Sequence, residues 1–397
     1  MWTYVLWISL AALGYVYVAY PLLLWGVRRL ARRPARIDDG FLPGVTLVIA
    51  AWNEAAVIER KLLNALAMDY PADRLEIVVA SDGSDDGTDA IVERFADKGV
   101  RLHRITPRGG KTRALNRTIP TAAYGVIVLS DANTMFAPDA IRQLVRYLAD
   151  ARVGAVTGDV QIVNEGEAFG ESEGLYYRYE RFIQQCESDI GSIVGVDGAM
   201  YAFRKSCFRP PSDPIILDDF VTSMNIVRQG RRVIYNPEAR AYENATPTVA
   251  QEFRRKSRIA AGGVQAILKG EGLPGPRQVW EWFTYVSHKL LRWLTAVFMA
   301  GTFAGTIVHL GTPFYNGLFA LELAFAGLSL TGWALNGRSV PAVVNVPFYF
   351  CMVNLAILQG LLKGLLGMQK VTWKKADRES VEMPPSCEQH RQSSPSH

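Results

Sequence analysis

The sequence predicts an α/β domain on a Rossmann-like sheet, flanked by membrane helices. Three observations carry that prediction. From Val45 to about Gly198, short β-rich apolar runs alternate with helical stretches, the pattern of a mostly parallel sheet covered on both faces. Three acidic signatures, Asp82-Gly83-Ser84, Asp131-Ala132-Asn133 and Asp218-Asp219, stand beside apolar runs where loops begin, so they can converge on one edge of such a sheet. Apolar spans lie on both sides of the segment that holds them.

At the N-terminus, residues 1–27 contain no charged side chain, and roughly 20 helical residues suffice to cross a bilayer. Arg28, Arg29, Arg32 and Arg33 follow in a basic linker over residues 28–43, so the positive-inside tendency places the next domain in the cytoplasm. A cleaved signal peptide would need a basic start and a shorter apolar core, so an uncleaved anchor is expected. The net charge of +5 among 397 residues owes much to juxtamembrane arginines and lysines of the kind that meet anionic lipid, and it forms no long basic stripe for nucleic acid. The 49% hydrophobic content and a mean hydropathy of +0.06 are high for a purely soluble protein. Cys186, Cys207, Cys351 and Cys387 lack CxxC spacing and read as reduced thiols.

Within the domain, residues 44–250, strands are expected at Val45–Ala50, Leu75–Ala80, Arg101–Ile105, Val126–Leu129 and Ala155–Ile162, with helices such as Ala55–Met68 and Asp86–Asp97 between them. No fixed-period repeat is present, which disfavours a solenoid. Residues 251–292 hold two amphipathic stretches rich in basic residues and tryptophan, suited to the membrane interface or to packing on the soluble domain. Three further spans are expected over residues 293–366, at Trp293–Leu310, Phe314–Leu335 and Pro341–Leu362, before a polar, disordered tail over 367–397. One span before the domain and three after it would leave the C-terminus outside. Lys363, Lys370, Lys374, Lys375 and Arg378 argue that it is inside, so either one span is re-entrant or the charge rule fails. Glu322, inside an apolar span, is a candidate channel or contact residue, or a snorkelling or neutral glutamate.

Asp82 closes a strand and is followed by glycine, a geometry in which a carboxylate accepts hydrogen bonds from a nucleobase or ribose. Asp82, Ser84, Asp86, Gly87 and Glu93 nearly fit a calcium-binding EF-hand loop, but the chain enters through a strand where an EF-hand needs a helix. Gly109-Gly110-Lys111-Thr112 fails as a P-loop because Ile105 stands where its first glycine belongs, yet a lysine after two glycines suits a diphosphate. A solvated surface lysine fits the same spacing. Asp131 and Asn133, two oxygen donors at i and i+2 after a strand, can together hold Mg²⁺ or Mn²⁺. Asp218 and Asp219 precede an amphipathic stretch, where they act either as a helix cap or as a general base.

Together these residues resemble the membrane-integrated family 2 glycosyltransferases, which include hyaluronan, chitin, poly-N-acetylglucosamine and cellulose synthases. The resemblance runs from about Val45 to Gly263 through Val48-Ile49-Ala50-Ala51-Trp52-Asn53-Glu54, the Asp82 signature, Lys111-Thr112-Arg113-Ala114-Leu115-Asn116, the Asp131 signature, Gly198-Ala199-Met200-Tyr201-Ala202-Phe203-Arg204 and Asp218-Asp219. It implies a GT-A fold, a UDP-sugar donor, a divalent cation and inversion at the anomeric carbon. In that likeness Glu54 and Asp82 hold the uridine, Lys111 meets the diphosphate, Asp131 carries the metal and Asp219 is the catalytic base, with Asp218 where the family usually has glutamate. The family's Gln-x-x-Arg-Trp element, which contacts the nucleotide and the acceptor end, aligns with Arg255-Lys256-Ser257-Arg258-Ile259, so the resemblance implies nucleotide-sugar binding by Arg255 and Arg258. Arg258 matches its arginine, while Arg255 replaces the glutamine and Ile259 the tryptophan.

The expected protein is therefore a hexosyl- or N-acetylhexosaminyltransferase in a bacterial plasma membrane, elongating and translocating a β-linked glycan. The rivals are single addition to a lipid such as a ceramide or diacylglycerol, and a non-catalytic nucleotide sensor.

Overall fold

The computed structural model describes residues 1–163, 168–244, 248–335 and 340–369. Lys370, Lys374, Lys375, Arg378, Cys387 and nearly all of the tail lie outside the described residues. The central strands are mostly apolar because both of their faces are covered. In β1 (Val45–Ala51), Leu47 and Ile49 enter one core with Val79 and Val128, while Val48 enters the opposite core with Ile127 and Leu129. With β2 (Leu75–Ser81), β3 (Val100–Arg104), β4 (Val126–Asp131), β5 (Met135–Phe136), β6 (Val153–Val163), β7 (Met200–Arg204) and β8 (Arg232–Asn244), it forms one eight-stranded sheet ordered β3-β2-β1-β4-β7-β6-β8-β5.

Each expected strand lies within two residues of an observed one, but the sheet is mixed rather than mostly parallel. β3, β2, β1 and β4 run parallel, whereas β7 pairs antiparallel with both β4 and β6. The chain leaves β1 on one side for β2 and β3, then returns on the other side as β4. That reversal makes a switch point at the carboxyl ends of β1 and β4. β7 starts at the same edge, with Met200 opposite Ser130.

The N-terminal helix comprises α1 (Trp2–Gly14), a π turn (Tyr15–Ala19) and α2 (Tyr20–Ala31), so it outlasts the expected 1–27 span. Inside the domain, α3 (Ile58–Leu66), α4 (Thr88–Glu93), α5 (Lys111–Thr118) and α6 (Ala140–Val145) are followed by α7 (Ala168–Ile190) and α8 (Asp218–Arg228). α4 is shorter than expected because Asp86 holds its entry open, accepting from the backbone N–H groups of Thr88 and Ala55. Two of the juxtamembrane arginines engage protein as well as facing the interface: Arg28 and Arg32 both pair with Asp189 of α7, at 2.6 and 3.2 Å.

Beyond the domain come α9 (Val249–Leu268), α10 (Val279–Tyr285), α11 (Leu291–Trp293), α12 (Thr295–Val308), α13 (Pro313–Ala334) and α14 (Ala342–Leu365). Among the described residues, Trp2–Ala31, Pro313–Ala334 and Ala342–Leu365 are long and apolar enough to cross a membrane. The expected span Trp293–Leu310 is different. α12 has 14 residues, about 21 Å of helix against a hydrocarbon core of about 30 Å, and bends by 59° from Val279–Trp293. This broken pair runs antiparallel along the N-terminal helix, with Tyr15 bonded to Ser287, Tyr17 to Thr295 and Thr3 to His309. Its first half also packs on the domain, where Tyr285 is fully buried against Phe220.

The C-terminal half of α14 lies along α9. Gly360 and Gly364 face Ser257 and Val264, and Gln359 shares a hydrogen bond with Ser257 at 3.1 Å. α9 in turn abuts Leu217 just before α8, so the end of α14 sits beside the domain, and the bent pair is a broken span or a re-entrant one. Glu322 joins α13 to α12 by accepting from Thr306 at 3.3 Å.

Candidate active site

The edge at the switch point is organised by Asp82. Its two carboxylate oxygens accept from the backbone N–H groups of Gly109 and Gly110, at 2.8 and 2.7 Å, which fixes the loop that delivers Lys111 to the start of α5. Gly110 has φ of 99°, a conformation that favours glycine at this turn. The loops after β1 and β2 clasp each other: Asn53, in the left-handed region, exchanges hydrogen bonds with Asp85, while its N–H donates to Ser84. Asp85 and Asp86 are thereby committed to loop structure, which accounts for the EF-hand-like string. Glu54 supplies its N–H to Thr88 and its carbonyl to the first turn of α3, leaving a half-buried side chain beside the same edge.

Opposite that loop, Lys111 Nζ lies 2.5 Å from Asp131 Oδ1 at the end of β4 and 3.5 Å from the carbonyl of Gly198 just before β7. Burial opposes the ammonium charge, but Asp131, Asp218 and Asp219 outweigh it and hold the lysine well above its ordinary value. The segment entering α8 is tied down from two sides. Thr112 of α5 donates to the carbonyl of Ile215, and the N–H of Ile216 donates to Gln265 of α9.

That placement presents Asp218 and Asp219 to the lysine. Burial raises the Asp218 carboxyl, and Asp218 Oδ2 finds no hydrogen-bond partner among the described residues. Burial and the neighbouring Asp218 push Asp219 up to about 7, against the pull of Lys111. The two carboxyls titrate as a pair. Arg258 of α9 completes the charge set: burial lowers it, while Asp218, Asp219 and Asp131 favour its cation.

Gly198 is required by this packing. A Cβ there would stand 2.5 Å from Asp219 Oδ2. Gly198→Ala should therefore displace the carboxylate and lower turnover by about 10²-fold, the scale of a 1 Å misplacement, with a smaller change in donor KM. Steady-state kinetics on the purified variant checks this, and unchanged turnover would remove Asp219 from the reaction.

The structure thus gathers Asp82, Lys111, Asp131, Asp218, Asp219 and Arg258, with Glu54 at the margin. Arg255 is held instead by Glu252, at 2.6 Å, and by the Tyr177 hydroxyl, at 2.9 Å. Asn133 stands half-buried in the turn after β4. Among the described residues no three His, Cys, Asp or Glu side chains gather as a metal cluster. One carboxylate and one amide oxygen fit a divalent ion that completes its shell with water and the phosphates of a bound nucleotide.

Two features escaped the sequence. Lys61 of α3 is fully buried beneath the turn that carries Asp131 and Asn133. It donates to the Thr134 carbonyl at 2.5 Å and lies 3.9 Å above the Phe136 ring. Burial pulls it down to about 7 although Asp131 and Glu243 favour its charge. Arg108 stacks on Trp52, its guanidinium carbon 3.3 Å from the ring centroid, and so walls the cleft beside Asp82.

This arrangement matches known proteins. A family model described as glycosyltransferase like family 2 matches residues 43–262. Poly-beta-1,6-N-acetyl-D-glucosamine synthase of Staphylococcus aureus (strain COL) is 27% identical over 234 residues, which cover 57% of this chain and 56% of that protein. The synthase of Staphylococcus epidermidis is 25% identical over 232 residues, with the same coverage of 57% and 56%. The chain spans about half the length of these curated relatives. The mannosyltransferase PcManGT from Pyrobaculum calidifontis, solved in complex with GDP-Man and Mn²⁺, superposes with a TM-score of 0.69 at 25% identity, over 92% of this chain and 100% of that one. With its GT-A architecture and a family match over more than half its length, the chain belongs to the glycosyltransferases of family 2.

Proposed function

We propose that the protein is an integral membrane polysaccharide synthase, built into a bacterial plasma membrane with its catalytic domain in the cytoplasm. It transfers N-acetylglucosamine from UDP-GlcNAc with inversion and elongates a β-linked glycan. The observation that carries this reading is the convergence of Lys111, Asp131, Asp219 and Arg258 at the switch point, in a chain whose staphylococcal relatives are poly-beta-1,6-N-acetyl-D-glucosamine synthases.

Asp219, poised near neutrality, accepts the proton of an acceptor hydroxyl as that oxygen attacks the anomeric carbon from the face opposite the leaving diphosphate. Lys111 and Arg258 offset the negative charge that develops on the departing nucleotide. Asp82 keeps the Gly109–Gly110 backbone in place beside it, and Glu54 and the Trp52–Arg108 wall border the nucleoside. Asp131 and Asn133 would hold a divalent ion, whose charge would further neutralise the diphosphate.

A second reading, single addition to a lipid acceptor, is favoured by one observation. Ile259, where the synthase element has its stacking tryptophan, is 39% exposed and offers no aromatic face to a sugar. The likeness to PcManGT, which extends through most of the chain, adds GDP-Man as a donor to test. Purified protein in lipid, incubated with Mn²⁺ and radiolabelled UDP-GlcNAc, other UDP-sugars or GDP-Man, distinguishes the readings by product size. A polymer ladder from UDP-GlcNAc is expected. A single lipid-soluble adduct overturns the synthase reading and establishes the second.

A further inference from the structure

A cavity of about 340 Å³ lies between the membrane helices and the domain, away from the acidic cluster. Its walls come from Tyr17 in the π turn, Tyr176 and Tyr179 of α7, Arg292 of α11, and Tyr349 and Val353 of α14. Four of the polar side chains in this wall already have partners within the protein. Tyr17 shares its hydroxyl with Thr295, Tyr179 donates to the carbonyl of Tyr17, and Arg292 is paired with Glu180 at 2.5 Å. Asn354, also in the lining, donates to the carbonyl of Phe350.

Toward the space the lining is mostly ring face and hydrocarbon. A sugar placed there would bury most of its hydroxyls against apolar surface, a cost that a hydrocarbon chain does not incur. Two of the contributing helices are long and apolar enough to lie in a bilayer, and Val346 at the rim is 37% exposed. The cavity also backs the helix that carries Arg258: Lys256 of α9 sits 4.7 Å above the Tyr176 ring.

We infer that this cavity binds one hydrocarbon chain of a bilayer lipid, which fills the gap between α7 and α14 and seats α9. The inference rests on the membrane placement proposed above and is independent of the donor and acceptor.

The test uses the full chain in nanodiscs of phosphatidylcholine with a diazirine near the end of one acyl chain. After irradiation, adducts are expected on peptides containing Tyr176–Tyr179 and Val346–Ile357. Val353→Trp, which fills the space with a large ring, should reduce those adducts by about fivefold or more, while labelling around the exposed Leu321 and Leu323 of α13 stays constant. Ile357→Trp, read by the same ratio, serves if the first variant fails to fold. Equal labelling of lining peptides in wild type and filled variants overturns the inference. So does labelling of the same peptides by a diazirine-bearing diacylglycerol, which has a free hydroxyl, together with its conversion to a glycolipid on addition of donor, because the cavity would then be an acceptor site. Absence of polymer from UDP-GlcNAc would instead count against the synthase reading alone.

Discussion

Asp219→Asn is expected to lower turnover by about 10²- to 10⁴-fold, the usual contribution of a general base, while donor binding is largely retained. It should also change stability in a way that a purely structural aspartate would not. The Asp219 carboxyl is raised to about 7 in the folded protein, against roughly 3.9 in an unfolded chain. Between those values the folded state holds a proton that the unfolded state has lost, so stability falls as pH rises through the window. The cost is fully present above about pH 7 and absent below about pH 4. Asparagine abolishes it. The variant should therefore melt with the wild type near pH 4 and a few degrees above it at pH 8. Wild-type turnover should climb with pH up to about 7 and then level. Melting curves and pH–rate profiles of both proteins check the pair of effects. A melting difference independent of pH, or a variant turning over at the wild-type rate, would refute the assignment.

Asp131→Ala is expected to lower turnover on the order of 10³-fold and to abolish the response to Mn²⁺, since it removes the one carboxylate of the proposed ion site. Lys111 should stay charged in this variant because Asp218 and Asp219 still face it. The loss would then report the ion and the electrostatics of the leaving group rather than collapse of the lysine. The opposite change is informative. Asn133→Asp adds a second carboxylate, and the half-saturating Mn²⁺ concentration should fall by about threefold or more. Titration of activity with Mn²⁺ measures both. An Asp131→Ala enzyme with unchanged half-saturation would place the ion elsewhere.

The parts legible in the sequence were those whose chemistry and position coincide along the chain. Asp82 and Asp131 follow continuous apolar runs, and both stand at the edge where such runs end. Lys111 was visible from the glycines before it, and its ion pair with Asp131 shows that it is not a solvated surface lysine. Lys61 was not visible. Between Arg60 and Leu62 it looks like an exposed helix position, and only the distant Thr134 carbonyl and Phe136 ring make it a core residue.

Arg255 and Arg258 show the same limit. Three residues apart, they lie close on one helix surface, and a neighbour, Glu252, decides that Arg255 is occupied. β7 and β8 were missed because β7 is short and β8 is interrupted by Pro237, Glu238 and Arg240, which dilute the apolar signal. The break at Leu294 carries neither proline nor glycine, so hydropathy alone reads straight through it.

The two adjacent glycines of α9 carry a mechanical consequence. Gly262 sits against Ile216 and Leu217, the residues that lead into Asp218, while Gly263 receives the indole of Trp293 at the bend of the membrane segment. Backbone meets side chain on both sides, so no layer of flexible side chains separates Trp293 from the segment that enters Asp218. When lipids of different chain length change the tilt of the flanking helices, the strain has one short path to follow. With the proposed membrane placement, a change in bilayer thickness would reach the segment entering Asp218 across a helix at the two places where it has no side chains to absorb it.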